Sequence, residues 1–359
     1  MAPELNRFAS MDPRVVELQK EAATRDDVIG LAGGLPADEL LPRAALAKTL
    51  AEVTASREDA LQYGWAEGAE QLRRWIAARL AARGATVDPE RIIVTAGAQQ
   101  ALTIAARVLG GTIAVGEATY AAAIDAFTRA GARVAREGGE ARYVIHGVAN
   151  PHGVELVDRA ALVASRGPLI VDEAYAELRF DGVTPRPLLA DAPARVWHIG
   201  TVSKTIAPGL RIGWLIPPAA HHAAALDQKA AADLQTSSLT QAALARLVTQ
   251  LDYDALLARA RAAYAERAAA ISHALRHAAP RLRFREPEGG FSLWIETDRE
   301  GDDLALLRRC LDAGVMVDPG SAFRPEPAPT IAVRASYSNA TPAKLAEAAR
   351  RLARVLAQR

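Results

Sequence analysis

Lys204 lies in Thr201-Val-Ser-Lys-Thr-Ile-Ala-Pro-Gly-Leu-Arg211, among three hydroxyls and seven positions before an arginine. A lysine taken at random is a solvated surface charge. An amine set among polar donors and positive charge has a lowered pKa and becomes a nucleophile. Other residues decide between these readings. Asp172 follows Leu-Ile-Val, so its carboxylate ends a buried strand and needs a partner there. It either caps the next segment or faces a protonated ring nitrogen. Tyr175, three residues on, can point to the same side. Asn150-Pro151 is either a plain turn or an amide aimed at a phenolate oxygen, its direction fixed by a cis bond.

Thr95-Ala-Gly-Ala-Gln-Gln100 opens a helix after a strand, which presents free backbone amides to an anion. Thr201, Ser203 and Arg211 add hydroxyls and a guanidinium suited to phosphate. Tyr120 is either core packing at a helix start or a ring that stacks on a flat ligand. One ligand uses all of these: a phosphate, an aromatic nitrogen, a phenolic oxygen and an aldehyde for a lysine. That ligand is pyridoxal 5'-phosphate.

Such residues need a scaffold. From residue 91, short apolar runs alternate with helical ones: strands at 92–95, 112–115, 132–134, 143–145, 169–172 and 196–199, with helices at 98–109, 120–130 and 158–165. This predicts an α/β core with a mostly parallel central sheet flanked by helices. Asp172, Asn150, Gly97 and Lys204 fall at or just after strand ends, where such sheets bind ligands. A strand at 212–216 follows the Lys204 loop. Helices are expected at 12–23 and 70–83, then over 219–278 with a break near Leu251-Asp252. Strands at 282–285, 291–295, 315–317 and 331–335 surround a helix at 303–313. A final helix over 341–358 has Thr341 as its N-cap. The division expected is a large domain over 40–250 and a smaller α+β domain from 1–39 and 251–359.

The chain has 359 residues and a formal net charge of +1, so no global field favours nucleic acid or an anionic membrane. The N-terminus has no apolar signal region, and the alanine-rich stretches are broken by charges. A cytoplasmic protein is expected. The single cysteine, Cys310, excludes an intrachain disulfide and a cysteine metal cluster. His273 and His277 are spaced for a metal but lack a third ligand, so no metal is expected.

The chain resembles fold-type I pyridoxal-phosphate enzymes of the class I/II aminotransferases, especially the 2-aminoadipate aminotransferase-like group and the catalytic half of MocR-type regulators. Eight segments carry the resemblance in order: Leu31–Pro36, Leu61–Gly68, Thr95–Leu102, Asn150–Gly153, Val171–Tyr175, Ser203–Trp214, Glu288–Phe291 and Val333–Tyr337. It implies a PLP-dependent aminotransferase that moves the amino group of an α-amino acid to a 2-oxo acid. Lys204 would carry the cofactor as a Schiff base and shuttle the α-proton. Asp172 would hold the pyridinium, with Tyr175 and Asn150 on the phenolic oxygen and Tyr120 stacked on the ring. Ala98, Gln99, Thr201, Ser203 and Arg211 would hold the phosphate. Arg334 would clamp the substrate α-carboxylate, and Gly34 would let substrate approach the backbone. Tyr63 would reach the phosphate of a neighbouring subunit, which implies a homodimer. Arg14, on the first helix, would reach the substrate side chain.

The chain also departs from that pattern. The stretch from Tyr120 to Asn150 is short, His152 stands where the family has threonine, Ala98 where serine is common, and Trp65 where proline is frequent. These changes keep open a PLP-dependent eliminase, a decarboxylase, or a cyclising or oxidising enzyme of specialised metabolism. A non-catalytic ligand-sensing module is the third reading. The lack of a DNA-binding segment before Leu5 argues against it.

Overall fold

The computed structural model describes residues 12–357. Helix α1 (Pro13–Ala23) starts where Asp12 accepts from the Arg14 amide at 2.8 Å, with proline in the first turn. Strand β1 (Ile29–Gly30), helix α2 (Arg43–Ser56) and helix α3 (Glu70–Ala82) follow. The alternating region holds β2 (Ile93–Thr95), α4 (Ala98–Leu109), β3 (Thr112–Ala114), α5 (Ala121–Arg129), β4 (Arg133–Ala135), β5 (Ala141–Ile145), α6 (Arg159–Ala164), β6 (Leu169–Asp172), β7 (Val196–Thr201) and β8 (Gly213–Ile216). Then come α7 (His222–Asp233), α8 (Ser238–Gln250), α9 (Tyr253–Ala278), β9 (Ser292–Glu296), α10 (Asp303–Asp312), β10 (Val315–Met316), β11 (Asp318–Pro319), β12 (Ala332–Ser336) and α11 (Pro342–Ala357).

The main sheet has seven strands in the order β2-β8-β7-β6-β5-β3-β4. Strand β8 is antiparallel to both of its neighbours, and the other pairs are parallel. Since β2 and β7 both oppose β8, they run the same way. The carboxyl ends of β2, β3, β5, β6 and β7 therefore share one edge. Ile93, Val94, Ile170, Val171, Trp197 and Ile199 are fully buried, as expected of strands covered on both faces. The Lys204 segment joins β7 to β8 as a hairpin, with Thr201 opposite Gly213.

A second sheet, β11-β12-β9, is antiparallel throughout, and β1 pairs in parallel with β10. One apolar cluster runs from Val15 through Val171, Leu244 and Leu293 to Leu356. Among the described residues, no helix is long and apolar enough to cross a membrane.

Three differences from the sequence reading have physical reasons. Helix α2 has no periodic apolar stripe and no side-chain cap, and buries only Thr49 and Val53. The 219–278 stretch breaks twice. The earlier break falls at Leu234, whose φ of 61° is left-handed, and Ser237 then caps α8. Residues 282–285 form a single bridge, Arg283 to Glu296, rather than a strand.

Candidate active site

Residues from every carboxyl end on that edge meet in one cavity. Gly34, Ala98, Gln99, Tyr120, Asn150, Asp172, Tyr175, Thr201, Ser203, Lys204, Arg211 and Arg334 line it.

The Lys204 turn is anchored by its neighbours. Val202 and Ile206 are buried, and the Ile206 amide donates to the Val202 carbonyl at 2.9 Å. Their burial leaves Lys204 facing the cavity, where Nζ donates to the Gly34 carbonyl at 2.7 Å. Burial, then the charges of Arg334 and Arg211, lower its pKa from 10.5 to about 8, against the pull of Asp172. A large share of this amine is neutral near pH 8, as a nucleophile requires.

Asp172 ends β6 beside Ile145 of β5 and Ile199 of β7. Its carboxylate accepts from the Tyr143 hydroxyl at 3.0 Å and from the Ala174 amide at 2.9 Å. Burial raises its pKa, and these donors and Lys204 oppose the rise. A cationic ring nitrogen would hold it ionised. The bond to Ala174 is the local cap read from the sequence, so that role coexists with the cavity-facing one.

The anion end is built from backbone and side chains. Gly97 has φ +82°, and a Cβ there would lie 2.8 Å from Arg211 Nη2. Glycine thus lets the start of α4 approach the guanidinium. Arg211, itself left-handed at φ 53°, donates to the Ala96 carbonyl at 3.0 Å. Thr201 and Ser203 share a hydroxyl–hydroxyl bond of 2.9 Å. Gln99 donates one of its two side-chain N–H groups to the Ala122 carbonyl at 2.7 Å.

Asn150 precedes a cis peptide bond to Pro151. Its Oδ1 accepts from Arg334 Nη1 at 3.1 Å, which leaves its NH₂ to donate elsewhere. Tyr175 stands edge-on to Phe291 with centroids 5.2 Å apart, and burial raises its pKa. Burial, then Asp172, push the Tyr120 hydroxyl up to about 12, so it stays protonated. A Cβ on Gly34 would sit 3.2 Å from the Tyr175 hydroxyl, which it would crowd, and 3.8 Å from Arg334 Nη1, in ordinary contact. This donor set fits pyridoxal 5'-phosphate: an anion cradle, a buried carboxylate, donors for a phenolic oxygen and an amine.

Two sequence-predicted residues lie elsewhere. Arg14 is 68% exposed and pairs with Asp12 at 2.7 Å, because α1 turns Val15 and Leu18 inward instead. The structure does not bring it to the cavity. Tyr63 is 82% exposed, outside the cavity of its own chain. The sequence reading missed Tyr143 and Asp318. Asp318 Oδ2 accepts from Arg334 Nε at 3.0 Å and Nη2 at 2.6 Å, and from the Gly33 amide at 2.9 Å. Tyr143 sits in an apolar strand and reads as core, while Asp318 requires knowledge of strand register. His152, noted as a departure, tilts against Trp294 with centroids 5.7 Å apart. Burial, then Arg285 and Arg324, push it down to about 4, so it is neutral.

The chain matches the family "Aminotransferase class I and II" over residues 26–137 and 144–352. It is 31% identical to a 2-aminoadipate transaminase of Thermus thermophilus, covering 92% of this chain and 91% of that one. An uncharacterized HTH-type transcriptional regulator of Bacillus subtilis is 28% identical over 94% of this chain and 77% of its own length. The solved alpha-aminoadipate aminotransferase of Thermus thermophilus, complexed with N-(5'-phosphopyridoxyl)-L-leucine, superposes with a TM-score of 0.86 at 28% identity, covering 95% and 94% of the two chains. The chain belongs to the class I and II aminotransferases, with the fold-type I architecture and pyridoxal 5'-phosphate as its cofactor.

Proposed function

We propose that this transaminase moves the amino group of an α-amino acid to a 2-oxo acid, with Lys204 as the amine that takes the cofactor's aldehyde as a Schiff base and later moves the Cα proton. One observation carries this reading. The lowered Lys204 amine, the buried Asp172 carboxylate and the Arg334 guanidinium share one cavity. When bound, the cofactor supplies an electron sink for charge developing at Cα. Asp172 keeps that sink electron-poor by holding the ring nitrogen protonated. Tyr175 and the Asn150 amide donate to the phenolic oxygen, and Tyr120 covers one ring face. Ala98 and Gln99 by their amides, with Thr201, Ser203 and Arg211, hold the phosphate. Arg334 fixes the α-carboxylate, and Gly34 leaves room for substrate beside it. Lys204, which lines the same cavity, would be the amine that moves the Cα proton.

The active unit in this reading is a cytoplasmic homodimer. Tyr63 lies in a loop that also exposes Leu61 and Trp65, and so many large apolar groups together suit contact with a second copy. Tyr63 then reaches the neighbouring subunit's phosphate.

Changing Lys204 to Ala tests the reading. The visible absorbance of the bound cofactor should disappear, and conversion of the cofactor to its amine form by amino acids should fall at least a thousandfold. A variant that keeps both sinks the assignment. Release of ammonia or carbon dioxide by the wild type, without the amine form, replaces transamination with elimination or decarboxylation.

A further inference from the structure

Arg334 is not a loose guanidinium. Arg334 and Asp318 are 3% and 2% exposed and face each other across β12 and β11 in antiparallel register. Cross-strand partners project to the same face. Nε and Nη2 both donate to Asp318 Oδ2, and Nη1 donates to Asn150 Oδ1. A guanidinium has five N–H groups. Three are therefore used, and one remains on each Nη. Those two can serve a carboxylate end-on, while the Nε edge is closed.

The same Asp318 oxygen accepts from the Gly33 amide at 2.9 Å. The next residue, Gly34, accepts from Lys204 Nζ at 2.7 Å and lies against the Tyr175 hydroxyl and Arg334 Nη1. A single carboxylate oxygen thus ties the clamp to the glycine loop that meets the lysine. The Arg334–Asp318 pair has no net charge, so it attracts a distant anion weakly. Recognition must come from directed donors at short range.

We propose that Asp318 is the positioning residue of the carboxylate clamp: it locks Arg334 by its Nε/Nη2 edge so that only the end-on Nη pair faces the cavity, and it holds the Gly33–Gly34 loop in register with that pair. The site then selects amines bearing a carboxylate on the same carbon by geometry rather than by net charge. This rests on the proposed role of Arg334 as the α-carboxylate clamp.

The test compares two probes on the holoenzyme. 2-Aminoisobutyrate carries the carboxylate but no Cα hydrogen, so it stops before proton transfer. tert-Butylamine has a methyl group in place of the carboxylate and likewise no Cα hydrogen. Each is titrated by the change it causes in the cofactor's visible absorbance, and the ratio of the two Kd values isolates carboxylate recognition. Asp318→Ala should weaken 2-aminoisobutyrate at least tenfold and leave tert-butylamine within about twofold. Asp318→Asn keeps an oxygen for Gly33 and Arg334 and should restore the ratio to within about threefold of wild type. An unchanged ratio in Asp318→Ala overturns the proposal. So does tighter 2-aminoisobutyrate binding in Asp318→Asn, which would make the aspartate only a brake on the clamp's charge. If Asp318→Ala does not hold the cofactor, Asp318→Glu replaces it. Glu keeps the charge but moves the oxygen by one methylene, and the ratio must then weaken; an unchanged ratio overturns the proposal. Arg334→Ala separates the two layers: if it leaves the ratio intact, the clamp reading itself fails.

Discussion

Arg83 and Arg334 each meet a buried carboxylate, the first Glu173 at 2.5 Å and the second Asp318 at 2.6 Å. Their other partners differ. Arg83, just after α3, donates twice to the Pro185 carbonyl, and Glu173 meets His146 Nδ1 at 3.0 Å. These contacts close inside the protein, and neither partner lines the cavity. Arg334 instead gives its third hydrogen bond to Asn150, a cavity residue, and its two remaining N–H groups have no hydrogen-bond partner among the described residues. Two pairs of similar length and burial thus have different uses. What distinguishes them is spare donor capacity at the cavity, not ion-pair strength.

The largest expected effect falls on the closed pair. Burial raises the Glu173 carboxyl, but Arg83 and the two histidines beside it pull it down to about 2. A depressed carboxyl stabilises the fold above its unfolded pKa, and that contribution fades as pH falls toward about 2. Glu173→Ala strands Arg83 and should cost about 3–5 kcal/mol of stability, measured by denaturant unfolding. A loss under about 1 kcal/mol would break the distinction, because the closed pair would then be dispensable.

A smaller effect is expected at the open pair, and in a different observable. Arg334→Lys keeps the charge but loses the planar fork. The KM for the amino acid should rise about tenfold to a hundredfold, with kcat falling less. Steady-state kinetics beside the unfolding midpoint checks this. A variant that loses stability but keeps its KM would reverse the assignments of the two pairs.

The smallest effect sharpens the comparison through Lys204. Arg334 contributes to the lowered amine, whereas Arg83 is not among its perturbers. The rate at which cofactor-free protein captures the aldehyde should rise with pH and level off above about 8, since only the neutral amine attacks. Arg334→Gln should move that inflection upward. An inflection that stays put would leave burial and Arg211 as the only causes.

Much of this site is legible in the sequence because its residues follow buried strands. Asp172 after Leu-Ile-Val and Lys204 after the β7 run announce themselves as polar groups that an apolar strand delivers to an edge. Asp318 does not. Its meaning comes from lying opposite Arg334, sixteen residues away, and no local pattern fixes that register. Tyr143 is hidden by its own burial. The place of Arg14 is not legible either, because position on a helix does not state which face turns inward. Here Asp12 holds it at the surface. Helix α2 escapes detection because alanine surrounds its axis, leaving no stripe.

The pairing of β1 with β10 has a consequence for how the molecule is made. The glycine loop that meets Lys204 is synthesised near the start, and the Asp318–Arg334 pair that accepts its Gly33 amide near the end. A nascent chain stalled before β12 already contains the lysine, the aspartate and the phosphate cradle. It lacks Arg334 and the strand that sets that arginine opposite Asp318. The Gly33–Asp318–Arg334 link therefore closes only with the last stretch of chain.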